Sequence, residues 1–361
     1  MQLIFHSPLN SLSLGNVGFN LLREFYKRGY NVGWFPEGQT DLSAYKVDEK
    51  FVAWLQKSAN QRYEFLGKGL PAISNWHLNG SARVFSDKQI LCSYHETSES
   101  TSVEKAIVSN QHKTLFCGGF SEKVFRAAGL NNVGSFDLGF DEDFHVTDRK
   151  YLEGRVHMGL IGKYEVRKNT ERLIKLWAAK YGNNKNYALS LLVGNPFYGN
   201  NPQETANINA SFINNALGGK KFWNINPLPR LKTNEEVNDL MNSLDVDISG
   251  LGSESWGLPS FNATCLGKWS IVFNGMGQKA WATEENSILV EPSGWRECYD
   301  DAFFKKGGEF NQGNFLDVSD ESIIDAFERA EKKIATKNQK GLDLGKQFTY
   351  GRTVDQILSH I

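Results

Sequence analysis

The chain has 361 residues, room for about two domains at roughly 150 residues each, and 40% of them are hydrophobic, enough for ordinary cores. Forty basic and 41 acidic residues leave a formal charge of −1, which gives no global signal for nucleic acid or an anionic membrane. No stretch approaches the ~20 apolar residues of a membrane span.

The first residues, Met1 to Phe5, read as a first strand and not as a signal peptide, so the protein is expected in the cytoplasm. Leu14-Gly15-Asn16-Val17-Gly18 reads as a glycine-bearing turn. A helix is predicted near Phe19 to Arg28, with Phe19, Leu22 and Tyr26 at helical spacing. Gly29-Tyr30-Asn31-Val32 leads into the next strand, and Ile90–Ser93 reads as another. The polar stretch Asp141–Asp148 marks a domain boundary near Asp148. A second strand–turn–helix start follows at Val156–Gly162, with a helix over Thr170–Tyr181 and a strand over Ala188–Val193. Asn195 to Lys221 is rich in Asn and Gly and reads as an insertion with one short helix. Phe222–Asn226 reads as a strand, and Thr233-Asn234-Glu235-Glu236 is a capping box opening a helix to Ser243. Val246–Ser249, Ser270–Phe273 and Ile288–Val290 read as short buried strands, and helices near Glu321–Ala335 and Thr353–Ile361 close the chain. Strands alternating with helices, started twice, predict an α/β protein with two Rossmann-like domains and parallel sheets. The cysteines Cys92, Cys117, Cys265 and Cys298 form no C-x-x-C pair and read as free thiols in a reducing compartment.

Four constellations carry chemistry. In Ser249 to Gly267 a strand ends, Glu254 sits in a Gly/Ser-rich loop, and a helix begins around Pro259. That places a carboxylate and several backbone N–H groups beside a helix N-terminus at the carboxyl end of a parallel sheet, where ligands and phosphates bind. Gly162-Lys163-Tyr164-Glu165-Val166-Arg167-Lys168-Asn169 puts cations before a helix, where they could neutralise a departing diphosphate. Tyr94-His95-Glu96-Thr97 follows a strand, with Cys117-Gly118-Gly119-Phe120-Ser121 and Leu138-Gly139-Phe140-Asp141 downstream. The fourth is the turn Gly15-Asn16-Val17-Gly18, where glycine permits close backbone approach. Asp245-Val246-Asp247 spells an Asp-x-Asp, but it sits where a helix hands over to a buried strand, and no metal site is expected there.

These segments resemble retaining glycosyltransferases of family 4 (glycosyl transferases group 1), over nearly the whole chain at low identity. Glu254, Gly257, Leu258, Pro259 and Gly267 match that family's signature in register. Lys163 and Lys168 match its diphosphate-clamping Arg and Lys. The resemblance implies a GT-B architecture, two Rossmann-like domains whose parallel sheets face across a cleft. The expected domains are 1–148, on the acceptor side and joined by the terminal helix 353–361, and 149–352, which binds the nucleotide sugar. It also implies transfer of a hexose, glucose-like, from a nucleoside-diphosphate sugar to a hydroxyl acceptor. Retention at the anomeric carbon, no metal and no cofactor are expected, with a UDP-sugar favoured over a GDP-sugar. His95 and Glu254 are the implied catalytic residues. Gly15, Asn16, Lys163, Lys168, Arg230, Ser255, Trp256, Gly257, Leu258 and Asn262 are the implied donor contacts. The chain departs from the family at Asn262, which stands for a ribose-binding Glu and loses charge assistance. Ser255 replaces Gly, Trp256 replaces Phe, and Lys163 replaces Arg and loses the bidentate fork. The acceptor is open: a glycan, a lipid-linked sugar, or DNA with hydroxymethylated bases as for phage-type enzymes. A non-catalytic nucleotide-sugar-binding subunit is the rival of another class.

Overall fold

The short apolar runs of the first half form parallel strands buried on both faces, as a sheet covered by helices on each side requires. The structure is a computed structural model that describes residues 1–361. In chain order the first elements are β1 (Gln2–Ser7), α1 (Ser13–Lys27), β2 (Asn31–Pro36), α2 (Glu49–Asn60), β3 (Ala72–Asn75) and β4 (Gln89–Ser93). They continue with α3 (Ser102–Ser109), β5 (Lys113–Cys117), α4 (Phe120–Ala127) and β6 (Val133–Phe136). The six strands form one parallel sheet in the order β2-β1-β3-β4-β5-β6.

The second half repeats the plan with β7 (Val156–Gly162), α5 (Thr170–Tyr181), β8 (Tyr187–Val193), α6 (Pro202–Ala216), β9 (Ile225–Pro227) and α7 (Asn234–Ser243). Then come β10 (Val246–Gly250), α8 (Leu258–Cys265), β11 (Trp269–Phe273) and β12 (Ser287–Val290). This second parallel sheet has the order β12-β11-β10-β7-β8-β9. A two-stranded ribbon, β13 (Gly294–Glu297) with β14 (Asn314–Asp317), precedes α9 (Asp320–Lys333), α10 (Gln339–Gln347) and α11 (Tyr350–Leu358).

The chain divides into two units, and the division departs from the single boundary expected near Asp148. Unit 1 is 1–143 with 297–314 and 348–361; unit 2 is 144–296 with 315–347. Segment 297–314 belongs to unit 1 because its residues bond there. Thr101 Oγ1 donates to Glu309 O (2.6 Å), Asn311 N donates to Glu104 Oε1 (2.8 Å), and Phe310 packs on the cluster of Leu78, Ile107 and Val108. The terminal helix lies against α1, where Arg28 Nη1 bonds Asp355 Oδ1 at 2.6 Å.

Most elements lie where periodicity places them. The capping box of α7 is present, Thr233 and Glu236 bonding each other's backbone N–H. Two places differ. The glycine-bearing turn at Gly15 is already helix, because α1 starts at Ser13. Its glycines let the helix press on the loop below: a Cβ on Gly15 would lie 2.4 Å from Asn10 O, and one on Gly18 would lie 2.2 Å from Ser7 Oγ. The strand expected from Phe222 starts only at Ile225, because Asn224 is used as a clip. Its Nδ2 donates to Tyr181 O and Asn184 O (2.8 and 3.1 Å) and its Oδ1 accepts from Asn183 N (2.9 Å), which holds the preceding residues in a turn.

Trp177 is the large side chain at the centre of unit 2. It is fully buried on α5, its Nε1 directed at Met158 Sδ of β7 (3.3 Å) and its ring 5.4 Å from that of Tyr181. Trp177→Ala should lower stability by about 3–5 kcal/mol through lost burial and the cavity left behind. Urea denaturation measures it, and a loss under ~1 kcal/mol would show that the site collapses around the gap.

Candidate active site

In unit 2 the strand order reverses between β7 and β10. From β7 the chain runs outward through β8 and β9, then returns to add β10, β11 and β12 on the other side. A crevice opens at the carboxyl ends of strands at such a reversal. The two loops that leave there are 163–169 after β7 and 251–257 after β10, and they carry the sequence-predicted Lys163, Lys168 and Glu254.

These residues meet. Lys168 Nζ bonds Glu254 Oε1. Arg167 Nη1 lies 3.0 Å from Glu254 Oε2 and donates to Ser253 O at 2.7 Å. Arg167 Nη2 donates to Glu165 Oε2 (2.8 Å), and Lys163 Nζ sits 2.8 Å from Glu165 Oε1. Three cations and two carboxylates therefore alternate across the crevice. Burial alone would raise the Glu254 pKa, but Arg167 and Lys168 outweigh it and hold the carboxyl below its ordinary value. Glu165 is treated the same way: against its burial, Arg167, Lys163 and Lys168 bring it to about 2. Both stay ionised at neutral pH.

Other residues hold these loops in place. Asn169 adopts the left-handed conformation at φ 54°, which Asn tolerates, and its Nδ2 donates to Leu251 O (2.6 Å), tying one loop to the other. Arg296, on β13, donates from Nη2 to Val166 O (2.8 Å) and to Asn169 Oδ1 (3.1 Å). On the far side Gly277 N donates to Glu254 O at 3.0 Å, and a Cβ on Gly277 would lie 1.7 Å from Ser255 O. Gln278 Nε2 donates to Gly252 O at 2.8 Å. Gly257 caps α8 in the left-handed conformation (φ 82°), and Leu258 begins the helix whose N-terminal N–H groups face the loop. Asn262 is one turn further in, 5% exposed, and its Oδ1 has no hydrogen-bond partner within the protein. Gln278 Oε1 is likewise buried without a partner. Buried acceptors left open in this way mark a place where a ligand or water donates.

Not every expected residue is brought there. Trp256 is 2% exposed: its ring packs edge-on to Phe261 (5.2 Å) and its carbonyl accepts from Trp281 Nε1 (2.9 Å). Only its main chain remains for a ligand, because two aromatic neighbours claim the ring. Ser255 is buried, with its carbonyl against Gly277. Arg230 is exposed on the loop after β9. In unit 1, Gly15 is buried and Asn16 accepts at Oδ1 from Asn20 Nδ2 (2.8 Å) within α1, so neither lies on an open turn. His95 is 2% exposed. Its Nε2 lies 3.0 Å from Thr97 Oγ1, its Nδ1 lies 3.3 Å from Ser121 Oγ, and its ring packs edge-on to Phe125 at 5.1 Å. Burial lowers its pKa to about 4, so the ring is neutral and internally bonded in this conformation, not directed outward as its place after β4 suggests. Sequence reading passed over Arg167 as a site residue and missed Arg296. Arg167 lies inside the matched segment, but Arg296 acts on residues some 130 positions away and leaves no local signal.

Asp245 and Asp247 serve separate partners. Asp245 Oδ1 pairs with Lys150 Nζ (2.6 Å) and its Oδ2 accepts from His157 N (2.9 Å). Asp247 is fully buried on β10 and accepts from Ser249 Oγ at 2.5 Å, while Ser249 Oγ itself accepts from Ile161 N of β7 (2.7 Å). No group of three His, Cys, Asp or Glu side chains is placed to hold a metal ion. Burial pushes the Asp247 carboxyl up to about 6, although the serine hydroxyls around it pull the other way. Its folded value exceeds the ~3.9 of an unfolded Asp, so ionisation subtracts stability as pH rises from about 4 through 6. Asp247→Asn removes that penalty. Relative to the unmodified protein, the variant should gain about 2–3 kcal/mol between pH 4 and pH 8 in urea denaturation. A difference that does not change with pH would show that Asp247 ionises at no cost.

No family model matches the chain, and no curated protein matches it. Solved structures do. Sucrose-phosphate synthase (tll1590) from Thermosynechococcus elongatus superimposes with a TM-score of 0.67 at 15% identity, covering 99% of this chain and 98% of that one. Anabaena Alr3699/HepE in complex with UDP and glucose gives 0.65 at 13% identity, with 100% of both chains covered. A UDP-forming trehalose-phosphate synthase from Burkholderia xenovorans gives 0.64 at 13%, covering 99% and 98%. At this identity the likeness shows the fold, which is the two-unit parallel α/β architecture of GT-B glycosyltransferases.

Proposed function

We propose that the protein is a glycosyltransferase that moves a hexose from a nucleoside-diphosphate sugar, UDP-glucose before others, to a hydroxyl acceptor. The observation that carries this reading is the meeting of Lys168, Arg167 and Glu254 at the strand reversal beside the α8 N-terminus. The neighbours of the same fold support the donor class, since one is described with UDP and glucose and another, from E. coli, with UDP-2-fluoro glucose.

As the bond between sugar and phosphate breaks, charge grows on the leaving diphosphate. Lys168, Lys163 and the N–H groups of α8 neutralise it in fixed positions, so little reorganisation is needed. Glu254, released from Lys168 by the competing phosphate, accepts hydrogen bonds from sugar hydroxyls. Asn262 meets the ribose with a neutral amide. We propose retention at the anomeric carbon through an oxocarbenium-like transition state, with the leaving phosphate taking the acceptor proton on the same face. The cations of loop 163–169 replace a divalent ion in this scheme. Unit 1 carries fewer Lys and Arg than Asp and Glu, which weighs against a DNA acceptor. No helix is long and apolar enough to cross a membrane, and four buried free thiols suit a reducing compartment such as the cytoplasm.

Lys168→Ala should cut sugar transfer, or slow donor hydrolysis where no acceptor is supplied, by about a hundredfold, near 3 kcal/mol of transition-state stabilisation. Near-normal turnover of UDP-glucose by the variant removes Lys168 from the reaction. In EDTA the unmodified enzyme should retain its activity. A complete loss restored by magnesium would assign the neutralising charge to a metal and overturn this part of the mechanism.

A further inference from the structure

Along the carboxyl edge of the unit 2 sheet, charge and aromaticity are laid out in order. Glu254 follows β10, while Lys163 and Lys168 follow β7. Toward β11 the crevice is closed by main chain, where Gly277 abuts Ser255 without room for a Cβ. The way out along the edge is toward β8, and there Phe197 stands. Its ring centroid is 5.4 Å from Lys163 Nζ, and the residue is 55% exposed.

The loop that carries Phe197 is firmly built. Asn195, fully buried, accepts at Oδ1 from Phe197 N (3.1 Å) and donates from Nδ2 to Tyr164 O (3.4 Å). Asn195 N donates to Asn209 Oδ1 of α6 at 2.8 Å. Behind the loop, Phe212 of α6 stacks on Tyr164 (5.0 Å) and meets Tyr198 edge-on (5.5 Å). The Asn-rich insertion thus uses its own aromatic stack to hold one neighbouring ring out in water. Keeping that apolar face wet has a cost that a covering ligand removes.

We propose that Phe197 is the platform on which the heterocyclic base of the donor nucleotide stacks. The proposal rests on the donor reading above and extends it from the diphosphate to the base. From β10 to β8 is two inter-strand spacings, ~10 Å, a distance that a nucleotide lying across β7 spans from diphosphate to base. Lys163 then stands between the two ends, near the phosphates and against the edge of the ring. Stacking on a phenyl ring suits any base, because every base has a π-face, so Phe197 supplies affinity without choosing among them.

Calorimetric titration of the full-length protein with UDP and, separately, with inorganic pyrophosphate tests this in the unmodified chain, Phe197→Ala and Phe197→Trp. Loss of the ring should weaken UDP about tenfold and leave pyrophosphate within about twofold, and tryptophan should restore UDP to within about threefold. Unchanged UDP affinity in Phe197→Ala, or equal losses for both probes, overturns the platform. An unmodified protein that binds neither probe overturns the donor reading itself and this proposal with it, a result distinct from failure of the platform alone.

Discussion

The Glu254 carboxylate, held between Lys168 and Arg167, joins the two loops that leave the unit 2 sheet where its strand order reverses. A carboxylate this deeply buried costs several kcal/mol to desolvate unless cations and hydrogen bonds surround it. The loops supply them together: Asn169 bonds Leu251, Arg167 bonds Ser253, and Arg296 fastens the end of the first loop from β13. None of the three can move far without stranding a charge. The crevice is therefore set before any ligand arrives, and an incoming diphosphate exchanges one anion for another at Lys168.

Much of this was legible in the sequence, for local reasons. Lys163, Lys168 and Glu254 each lie a few residues past the end of an apolar strand, and parallel strands deliver such residues to a common edge. The helix over Thr170–Tyr181 shows at the residues themselves, because its periodicity has no competitor. What was not legible depends on partners distant in the chain. Trp256 reads as a site aromatic until Phe261 and Trp281 are seen closing on its ring. Gly15 and Gly18 read as a loop because glycine disfavours helix, yet here they let a helix pack against the loop after β1.

His95 illustrates the same limit in unit 1. The end of a strand is where a site residue is sought, but strand position does not decide which way a ring turns. Thr97 and Ser121 occupy both ring nitrogens, and Phe116 and Phe125 flank the ring. A neutral imidazole satisfied in this way fixes the loop after β4 and carries no charge to offer. The buried Glu104 nearby caps α3 through Thr101 and receives Asn311 from segment 297–314. The chemistry of this region is that of anchoring a returning segment.

That return has a consequence for how the protein is made. The chain leaves unit 1 after Asp143, comes back for 297–314, and comes back again for 348–361. All six strands of the first sheet are synthesised early, yet Phe310, which covers part of its core, and α11, which lies on α1, arrive near the end. A domain that could fold as the ribosome releases it must here wait for the whole of the intervening unit. Its closing contacts span long stretches of chain and are slow to form. Unit 1 is thus the first to begin folding and the last to finish, and a nascent chain cut at the domain boundary would expose an apolar face that chaperones recognise.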